Sequence, residues 1–234
     1  METPEQLPVD CRYYNPRIKF DGKYWYLTVG IDQELEEVTL SERAVGIDVG
    51  VKELAVTSDN VIYKNINKTK TVKNETRRLK RLQRQASRKY KKGKPKSSNL
   101  IKLEKKIRHK HRRLQNIRDN YIHQITAEIV KTKPSRIVME DLNIKGMMKN
   151  RHLSKAIAEQ KLYFFKNCIK YKSEKYGIAF IEADRWFPSS KTCNNCGLIN
   201  KNLKLSDRTY HCDCGYVCDR DLNASYNLRD YQAI

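Results

Sequence analysis

The chain has 234 residues, of which 39% are hydrophobic, and a formal net charge of +21. This length supports one good-sized core or two smaller ones. No run of about 18 apolar residues occurs, and the N-terminal METPEQLPVD lacks the charged and then apolar profile of a signal peptide. We therefore expect no membrane span, no export and a cytoplasmic location.

Positive charge is concentrated in one segment. Residues 64–119 hold 23 Lys and Arg against three acids, a net +20, whereas the rest holds 25 basic and 24 acidic residues, a net +1. Such a field attracts polyanions and releases their counterions on binding. A membrane-surface helix would also need a strongly apolar face with Trp or Phe, which this segment lacks. We expect a nucleic acid as the partner.

The first 43 residues are predicted to be a lead-in followed by a few strands. Residues 1–16 are polar and contain proline, so we expect little order there. Residues 17–20 and 23–29 have strand-like patterns, and a two-residue turn at Asp21 and Gly22 would join them as a hairpin. Residues 32–42 are expected to form a loop with one further short strand.

Three strand-like pieces follow at residues 44–49, 53–58 and 61–65, and their tight links predict an antiparallel meander. Asp48 interrupts the first, apolar piece. A carboxylate in a buried strand is costly unless a metal or hydrogen bonds compensate its desolvation. The simpler alternative is that Asp48 ends the strand and caps the next turn.

The basic segment predicts a helical hairpin at about residues 66–131, because apolar residues recur at helical spacing on both sides of a break at residues 93–96. Its charges could be an ordinary solvated face, but such faces usually mix signs and this one repels itself. We expect it to contact phosphates. The candidate residues are Arg77, Arg78, Lys80, Arg81, Arg84, Arg88, Lys105, Arg108, Arg112 and Arg113.

The next segment repeats the arrangement of an apolar strand followed by an acid. Residues 136–140 form the strand and Glu140 ends it, after which a Lys-rich loop leads to an amphipathic helix at residues 153–176. Residues 178–183 predict another strand. The chain ends in a helix at about residues 219–231.

Four cysteines have the spacing of a zinc site. Cys193 and Cys196 form one pair, and Cys212 and Cys214 form a second pair fifteen residues later. Two such pairs supply four thiolates to one tetrahedral Zn²⁺ without an open position, which is typical of a structural site. Cys218 is an alternative fourth ligand in place of Cys214. Paired thiols with scattered remaining cysteines favour metal binding over disulfides.

Three acids are candidates for a catalytic site. Asp48 and Glu140 lie at strand ends of what could be one sheet, and Asp221 or Asp219 lies in the first turn of the last helix. Converging carboxylates repel one another and have raised pKa values unless divalent cations hold them together. Two Mg²⁺ ions on such a cluster activate water and stabilise the leaving oxygen in phosphodiester cleavage.

Four motifs carry a resemblance to a known family. GIDVG at residues 46–50, VMEDLN at 138–143, WFPSSKTCNNCG at 186–197 and DRDLNASYN at 219–227 resemble the TnpB (OrfB) family of insertion sequences, in the family's order. The resemblance covers about residues 17–230. It implies an α/β, RNase H-like (RuvC) mixed sheet with the long basic helical hairpin and an inserted zinc ribbon.

The resemblance also implies an activity and a domain organisation. Asp48, Glu140 and Asp221 match the catalytic acids, with Asp219 as a helix cap, and the implied activity is RNA-guided DNA cleavage with catalytic Mg²⁺ and structural Zn²⁺. The expected parts are 1–43, lead-in and residual wedge-type strands; 44–184, RuvC-like core; 185–217, zinc ribbon; and 218–234, C-terminal helix.

The front of the chain departs from the family pattern, because family members place a wedge domain and a helical recognition insertion before the core. Only about 40 residues precede Asp48 here. Two alternatives to a DNA endonuclease therefore stay open. One is a non-cleaving nucleic-acid-binding remnant or regulator, and the other is a transposase acting in DNA recombination.

Overall fold

The computed structural model describes residues 10–32, 38–204 and 206–232. The described residues divide into two compact units, one from residues 1–35 and 74–116 and the other from residues 36–73 and 117–234. The expected loop and short strand at residues 32–42 fall partly outside the described residues. Among the described residues, no helix is long and apolar enough to cross a membrane.

The first unit contains a β-hairpin and most of the basic helices. Strand β1 (Tyr13–Phe20) pairs antiparallel with β2 (Trp25–Ile31). Helices α1 (Lys70–Lys89) and α2 (Ser98–Lys131) flank the expected break. Leu79 of α1 and Leu100 and Leu114 of α2 are buried. The predicted helical hairpin is therefore present.

The turn of the β-hairpin differs from the prediction. Phe20 pairs with Trp25, so the loop holds four residues rather than two, and β1 begins at Tyr13 rather than at residue 17. Asp21 accepts hydrogen bonds from the backbone N–H groups of Lys23 and Tyr24, both at 2.9 Å. Gly22 adopts φ +94°. These side-chain hydrogen bonds stabilise a longer loop than the dipeptide rule anticipates.

The second unit is built on a five-stranded mixed sheet in the order β5-β4-β3-β6-β7. Strands β3, β4 and β5 form the predicted antiparallel meander, whereas β6 and β7 run parallel to β3. The bounds are β3 (Ser41–Val49), β4 (Glu53–Thr57), β5 (Ile62–Lys64), β6 (Pro134–Glu140) and β7 (Ala179–Ala183).

The helix expected at residues 153–176 is two helices, α4 (Ser154–Gln160) and α5 (Leu162–Lys175), and a short α3 (Ile144–Met147) lies in the expected loop. Lys161 separates α4 from α5 in a left-handed conformation, φ +56°. Its ammonium group pairs with Asp119 and lies 4.6 Å from the centre of the Phe164 ring. These tertiary contacts hold the break, which the apolar periodicity alone did not reveal.

The two faces of the sheet are covered by different helices. Val45, Ile47 and Met139 belong to the main core, which also contains buried residues of α2, α4 and α5. Val138, on the opposite face, clusters with Leu228 of helix α6 (Arg220–Arg229). Between β7 and α6, strands β8 (Thr209–His211) and β9 (Val217–Asp219) form a small separate sheet.

Candidate active site

Asp48 and Glu140 lie side by side on the face of the sheet that α6 covers. The residues just before them, Ile47 and Met139, are register partners in the parallel pair of β3 and β6. Ile47 and Met139 point into the main core. Since successive side chains of a strand point to opposite faces, Asp48 and Glu140 both point towards the α6 side.

Gly46 allows α6 to lie directly against β3. A Cβ atom at position 46 would come within 2.0 Å of the Ser225 backbone oxygen and 2.3 Å of the Arg229 backbone nitrogen. Both atoms belong to α6, so no side chain can be accommodated between strand and helix. This close approach brings the start of α6 to the strand that carries Asp48.

The first turn of α6 carries Asp221. Asp219 is its N-cap, and one carboxylate oxygen of Asp219 accepts hydrogen bonds from the backbone N–H groups of Asp221 and Leu222 at 2.9 and 3.1 Å. Asp219 therefore caps the helix as predicted. Arg220 lies between the two acids and its guanidinium is 3.4 Å from an Asp221 oxygen.

The three acids form one electrostatic group. Burial raises the pKa of Asp48 well above its usual range, and the charges of Asp221 and Glu140 raise this pKa further. Burial, with Asp141 beside it, also raises the pKa of Glu140. The three acids are not among the compact clusters of potential metal ligands in the described residues, where the four cysteines form the one such cluster, with sulfurs within 4.8 Å of one another.

The structure brings Cys193, Cys196, Cys212 and Cys214 together, and Cys218 is not part of this group. The Cys193 and Cys214 sulfurs are 3.8 Å apart, and the Cys196 and Cys212 sulfurs are 3.5 Å apart. Four thiolates at about 2.3 Å from a tetrahedral Zn²⁺ would be about 3.8 Å from one another. The sulfurs thus have the spacing of a zinc site and exceed a disulfide length of about 2.05 Å.

The Cys214 thiol has a lowered pKa. The backbone N–H of Tyr216 and the Asn195 side-chain amide lower the pKa of Cys214 to about 6. A thiolate is the form that binds zinc. The donor set of four cysteines therefore fits a closed structural Zn²⁺ site, which the chemistry of the ligands favours over a catalytic one.

Two asparagines that the sequence analysis did not single out fasten the cysteine region to α6. The Asn223 amide donates to the Thr192 backbone oxygen at 2.7 Å, and the Asn227 amide donates to the Thr192 and Ser189 oxygens, both at 2.7 Å. Asn194 donates to the Asn227 side chain at 3.2 Å. The i, i+4 spacing of the asparagines within DRDLNASYN was the available signal, because it places both on one face of the helix.

The predicted phosphate-binding residues lie on α1 and α2, and all ten except Arg112 are exposed. Arg112 is 2.7 Å from an Asp21 oxygen and lies over the Tyr24 ring. Burial disfavours ionisation of Asp21, but the N–H groups of Tyr24 and Lys23, the Tyr26 hydroxyl and Arg112 together lower its pKa to about 2. Arg112 is thus already engaged within its own unit.

A groove of about 980 Å³ separates the β-hairpin from α2 within the first unit. Arg108, His111, Gln115 and Asn116 line it from α2, and Lys19 and Thr28 line it from the strands. Cationic and amide side chains of this kind bind phosphates and base edges. The groove is a second candidate surface for nucleic acid beside the exposed arginines of α1.

The basic helices bury one acid, Glu75, that no local sequence pattern distinguishes. Glu75 on α1 is 4% exposed and lies 2.7 Å from the Lys110 ammonium and 2.9 Å from the Arg78 guanidinium. Arg113 lies 3.7 Å from the same carboxylate. Two of the predicted phosphate ligands, Arg78 and Arg113, are therefore already partly neutralised within the unit.

The structure thus defines an α/β protein with two basic helices and a four-cysteine group. A family model, OrfB_IS605, described as "Probable transposase", matches residues 26–151, more than half of the chain. A second model, "Cas12f1-like, TNB domain", matches residues 163–228. The chain belongs to the TnpB (OrfB) family, as the sequence motifs predicted.

Curated relatives agree with this assignment. A protein of Streptomyces pristinaespiralis described as "Putative RNA-guided DNA endonuclease" is 32% identical over 204 residues, 87% of this chain and 49% of its own length. InsQ of Escherichia coli K12, with the same description, is 31% identical over 87% of this chain and 53% of its own. The TnpB-like protein L79 of Acanthamoeba polyphaga mimivirus is 27% identical over 97% and 45%. The chain spans about half the length of these relatives.

Solved structures share the fold. One chain of a CRISPR-Cas12f ternary complex matches with a TM-score of 0.59 and 21% identity, over 88% of this chain and 42% of that one. A Cas12f1 complex with its single guide RNA and target DNA matches with a TM-score of 0.54 and 20% identity, over 91% and 55%. At this identity the likeness concerns the fold alone.

Proposed function

We propose that this chain is the metal-dependent DNA endonuclease core of a TnpB-type protein, with an RNase H-like (RuvC) fold and a zinc ribbon. The observation that carries the proposal is that Asp48 and Glu140 directly follow the register partners Ile47 and Met139, on the face covered by α6, whose first turn holds Asp221. The raised pKa of Asp48 supports it, since burial and neighbouring negative charges make the group costly to ionise without a cation.

Each part of the site has a separate task in this proposal. Mg²⁺ ions bound to Asp48, Glu140 and Asp221 would activate a water molecule and stabilise the leaving 3′ oxygen. Asp48 and Glu140 are carried by strands whose opposite side chains are packed in the core, so their backbone positions are fixed. Asp219 orders the first turn of α6 and thereby holds Asp221 in place. The exposed arginines of α1 and α2 bind the phosphate backbone.

The proposed partners are DNA and, in the full-length family, a guide RNA. Relatives are described as RNA-guided DNA endonucleases, and the similar Cas12f1 structure is a complex with guide RNA and target DNA. The chain's own contribution to this expectation is its +20 segment, which would neutralise either polymer. Because the chain spans about half of its relatives, guidance by RNA is proposed for the whole family protein rather than for this segment by itself.

The test is to replace Asp48 by Ala and compare cutting with binding. We expect wild-type protein with Mg²⁺ or Mn²⁺ to cut DNA and D48A to lose at least about 10³-fold in rate, because one metal ligand is removed. Affinity for a labelled oligonucleotide should not fall. A matched control is D59A, which removes an acid of the turn between β4 and β5 that pairs with Arg43 at 3.4 Å. Equal cutting by D48A and wild type would contradict the assignment.

A second candidate function is nucleic-acid binding without cleavage, for which the 23 Lys and Arg of residues 64–119 would suffice. A protein that binds DNA or RNA with a steep salt dependence and never nicks a substrate with either metal would support it. Transposase activity in DNA recombination is a third candidate, suggested by the description of the family model. An intact set of acids favours the endonuclease, because a binding protein needs none of them.

A further inference from the structure

A short turn after β7 presents Trp186 to solvent. The Asp184 backbone oxygen accepts a hydrogen bond from the Phe187 N–H at 3.0 Å, which closes a four-residue β-turn. The Asp184 side chain accepts a second hydrogen bond, from the Trp186 N–H, at 2.7 Å. Asp at the first position of a turn stabilises it in this manner. The backbone around Trp186 is therefore held by two local hydrogen bonds.

The neighbours of Trp186 fasten the turn to the protein. The Arg185 guanidinium binds the Asp141 carboxylate at 2.5 Å, and the Asp184 N–H donates to the Tyr231 hydroxyl at 3.2 Å. The rings of Phe187 and Tyr231 meet edge to face, with centroids 4.9 Å apart. At 84% exposure, Trp186 is the most exposed large hydrophobic side chain in the described part of the chain.

The exposed Trp186 indole lies on a turn whose backbone is ordered. Tryptophan normally contributes to stability by burying a large apolar surface, which Trp186 does not do here. Because its backbone is already ordered, a ligand that stacks on the ring would lose little conformational entropy of the loop. The position is therefore suited to binding a flat, aromatic group.

The turn lies close to the proposed catalytic edge. The chain leaves β7 at Ala183, whose register partner on β6 is Glu140. Adjacent strands are about 4.8 Å apart and three residues span at most about 10 Å, so the Cα atoms of Trp186 and Glu140 are within about 15 Å. At about 3.4 Å per nucleotide of a stacked strand, this upper limit corresponds to at most about four nucleotides.

We propose that Trp186 is a stacking platform for one base of a single-stranded nucleic acid whose phosphate, a few nucleotides away, lies at the three acids. The identity of the base is not selected, because every base has a π-face and stacking tolerates all of them. The cysteine region to which Trp186 belongs, residues 185–217, holds five Lys and Arg against two acids, and this local excess of positive charge favours a nucleic acid over an apolar protein surface as the occupant. The location of the cut rests on the proposed function, whereas the stacking does not.

Intrinsic fluorescence gives a readout that does not depend on cleavage. The chain has two tryptophans, so W25F leaves Trp186 as the only one. This variant is titrated with an oligothymidine strand in Ca²⁺ in place of Mg²⁺, and binding is followed in parallel by anisotropy of a labelled strand. We expect saturable quenching of Trp186 that coincides with binding. Binding without quenching, or no binding, overturns the proposal. Quenching that appears when the protein concentration is raised without any oligonucleotide also overturns it, because it would indicate that a second copy of the chain covers Trp186.

Replacement of the ring measures its contribution. W186A should weaken binding of the single strand roughly tenfold, and W186F should retain most of the affinity because it keeps an aromatic face. The matched control is L198A, which removes an apolar side chain of 59% exposure from the cysteine region and should leave affinity unchanged. Equal affinity of W186A and wild type overturns the proposal.

The same variants separate this proposal from the proposed function. If D48A in the W25F background keeps the quenching while no variant cuts DNA, the stacking stands and the endonuclease fails. If wild type and W186A cut and bind equally well, the endonuclease stands and the stacking fails. Circular dichroism of W186A should match wild type, because the lost side chain is almost fully in water.

Discussion

At the scale of single residues, Gly46 determines how closely α6 can approach β3. Gly46 stands two positions before Asp48 in GIDVG and lies on the same face of β3. The backbone of α6 occupies the space that a Cβ atom at position 46 would need. The motif therefore combines an acid with the glycine that lets a second acid, Asp221, approach it.

Substitution of Gly46 by Ala should be severely destabilising. The new Cβ would lie 2.0 Å from a backbone oxygen of α6, and backbone atoms cannot rotate away as a flexible side chain can. We expect a loss of about 3 kcal/mol or more in the free energy of unfolding, measured by urea denaturation. The control is G50A in the same motif, where the new Cβ would meet only Glu53 oxygen at 3.6 Å. Equal stability of G46A and G50A would contradict the close packing.

At the scale of elements, the basic helices depend on one buried acid. Helices α1 and α2 carry most of the excess charge of the chain and would repel each other without a counter-charge. Glu75 supplies it, since its carboxylate receives Lys110 from α2 and Arg78 from α1. The hydrogen bond from Lys110, opposed by burial, lowers the pKa of Glu75 below its usual range.

The pH dependence of stability should identify this contact. The folded pKa of Glu75 lies below the unfolded value of about 4.3, so its contribution is complete above that value and is lost as pH falls through the folded pKa. We expect E75Q to lower the free energy of unfolding by about 1–3 kcal/mol at pH 7 and by progressively less below about pH 4. Urea denaturation at pH 7 and at a pH below 4 measures the two costs.

Glu104 offers a matched control for Glu75. It pairs with Lys96 at 2.7 Å, but the two side chains are 30% and 52% exposed. Solvent screens such a pair, so E104Q should change the free energy of unfolding by less than about 1 kcal/mol at either pH. A cost of E75Q that is no larger than that of E104Q, or that does not change with pH, would rule out the proposed counter-charge.

At the scale of the whole molecule, the cysteine region and the proposed catalytic acids are coupled through α6. The region is inserted between β7, which pairs with the strand of Glu140, and α6, which carries Asp221. Asn223 and Asn227 bind its first cysteine loop through Thr192. Loss of the metal should therefore disturb the position of α6 and of Asp221, although the metal itself would not contact the substrate.

Zinc removal tests this coupling. We expect atomic spectrometry to find one zinc ion per chain in wild-type protein and none in C196S. C196S should also lose DNA cleavage, because α6 is no longer held. The sheet should stay folded by circular dichroism. C218S is the control, because Cys218 lies outside the four-sulfur group and should leave zinc content unchanged. Zinc loss in C218S as large as in C196S would instead make Cys218 a ligand.

Local sequence determined the elements, because they depend on short-range periodicity and turn chemistry. Short apolar runs located the meander and β6, helical spacing located α1 and α2, and the cysteine spacing located the four-sulfur group. The motifs also predicted the family correctly. The two-residue turn at Asp21 and the single helix at residues 153–176 were wrong, since Asp21 hydrogen bonds and the left-handed Lys161 depend on particular contacts rather than on periodicity.

Only the tertiary structure decided how the candidate groups meet. The sequence placed Asp48, Glu140 and Asp221 at the ends of elements, but their common face follows from the parallel register of β3 with β6 and from the space at Gly46. The burial of Glu75 among basic helices and the exposure of Trp186 likewise depend on contacts between residues far apart in sequence. Long-range pairing has no local periodicity, which is the physical reason that the sequence alone could not reveal it.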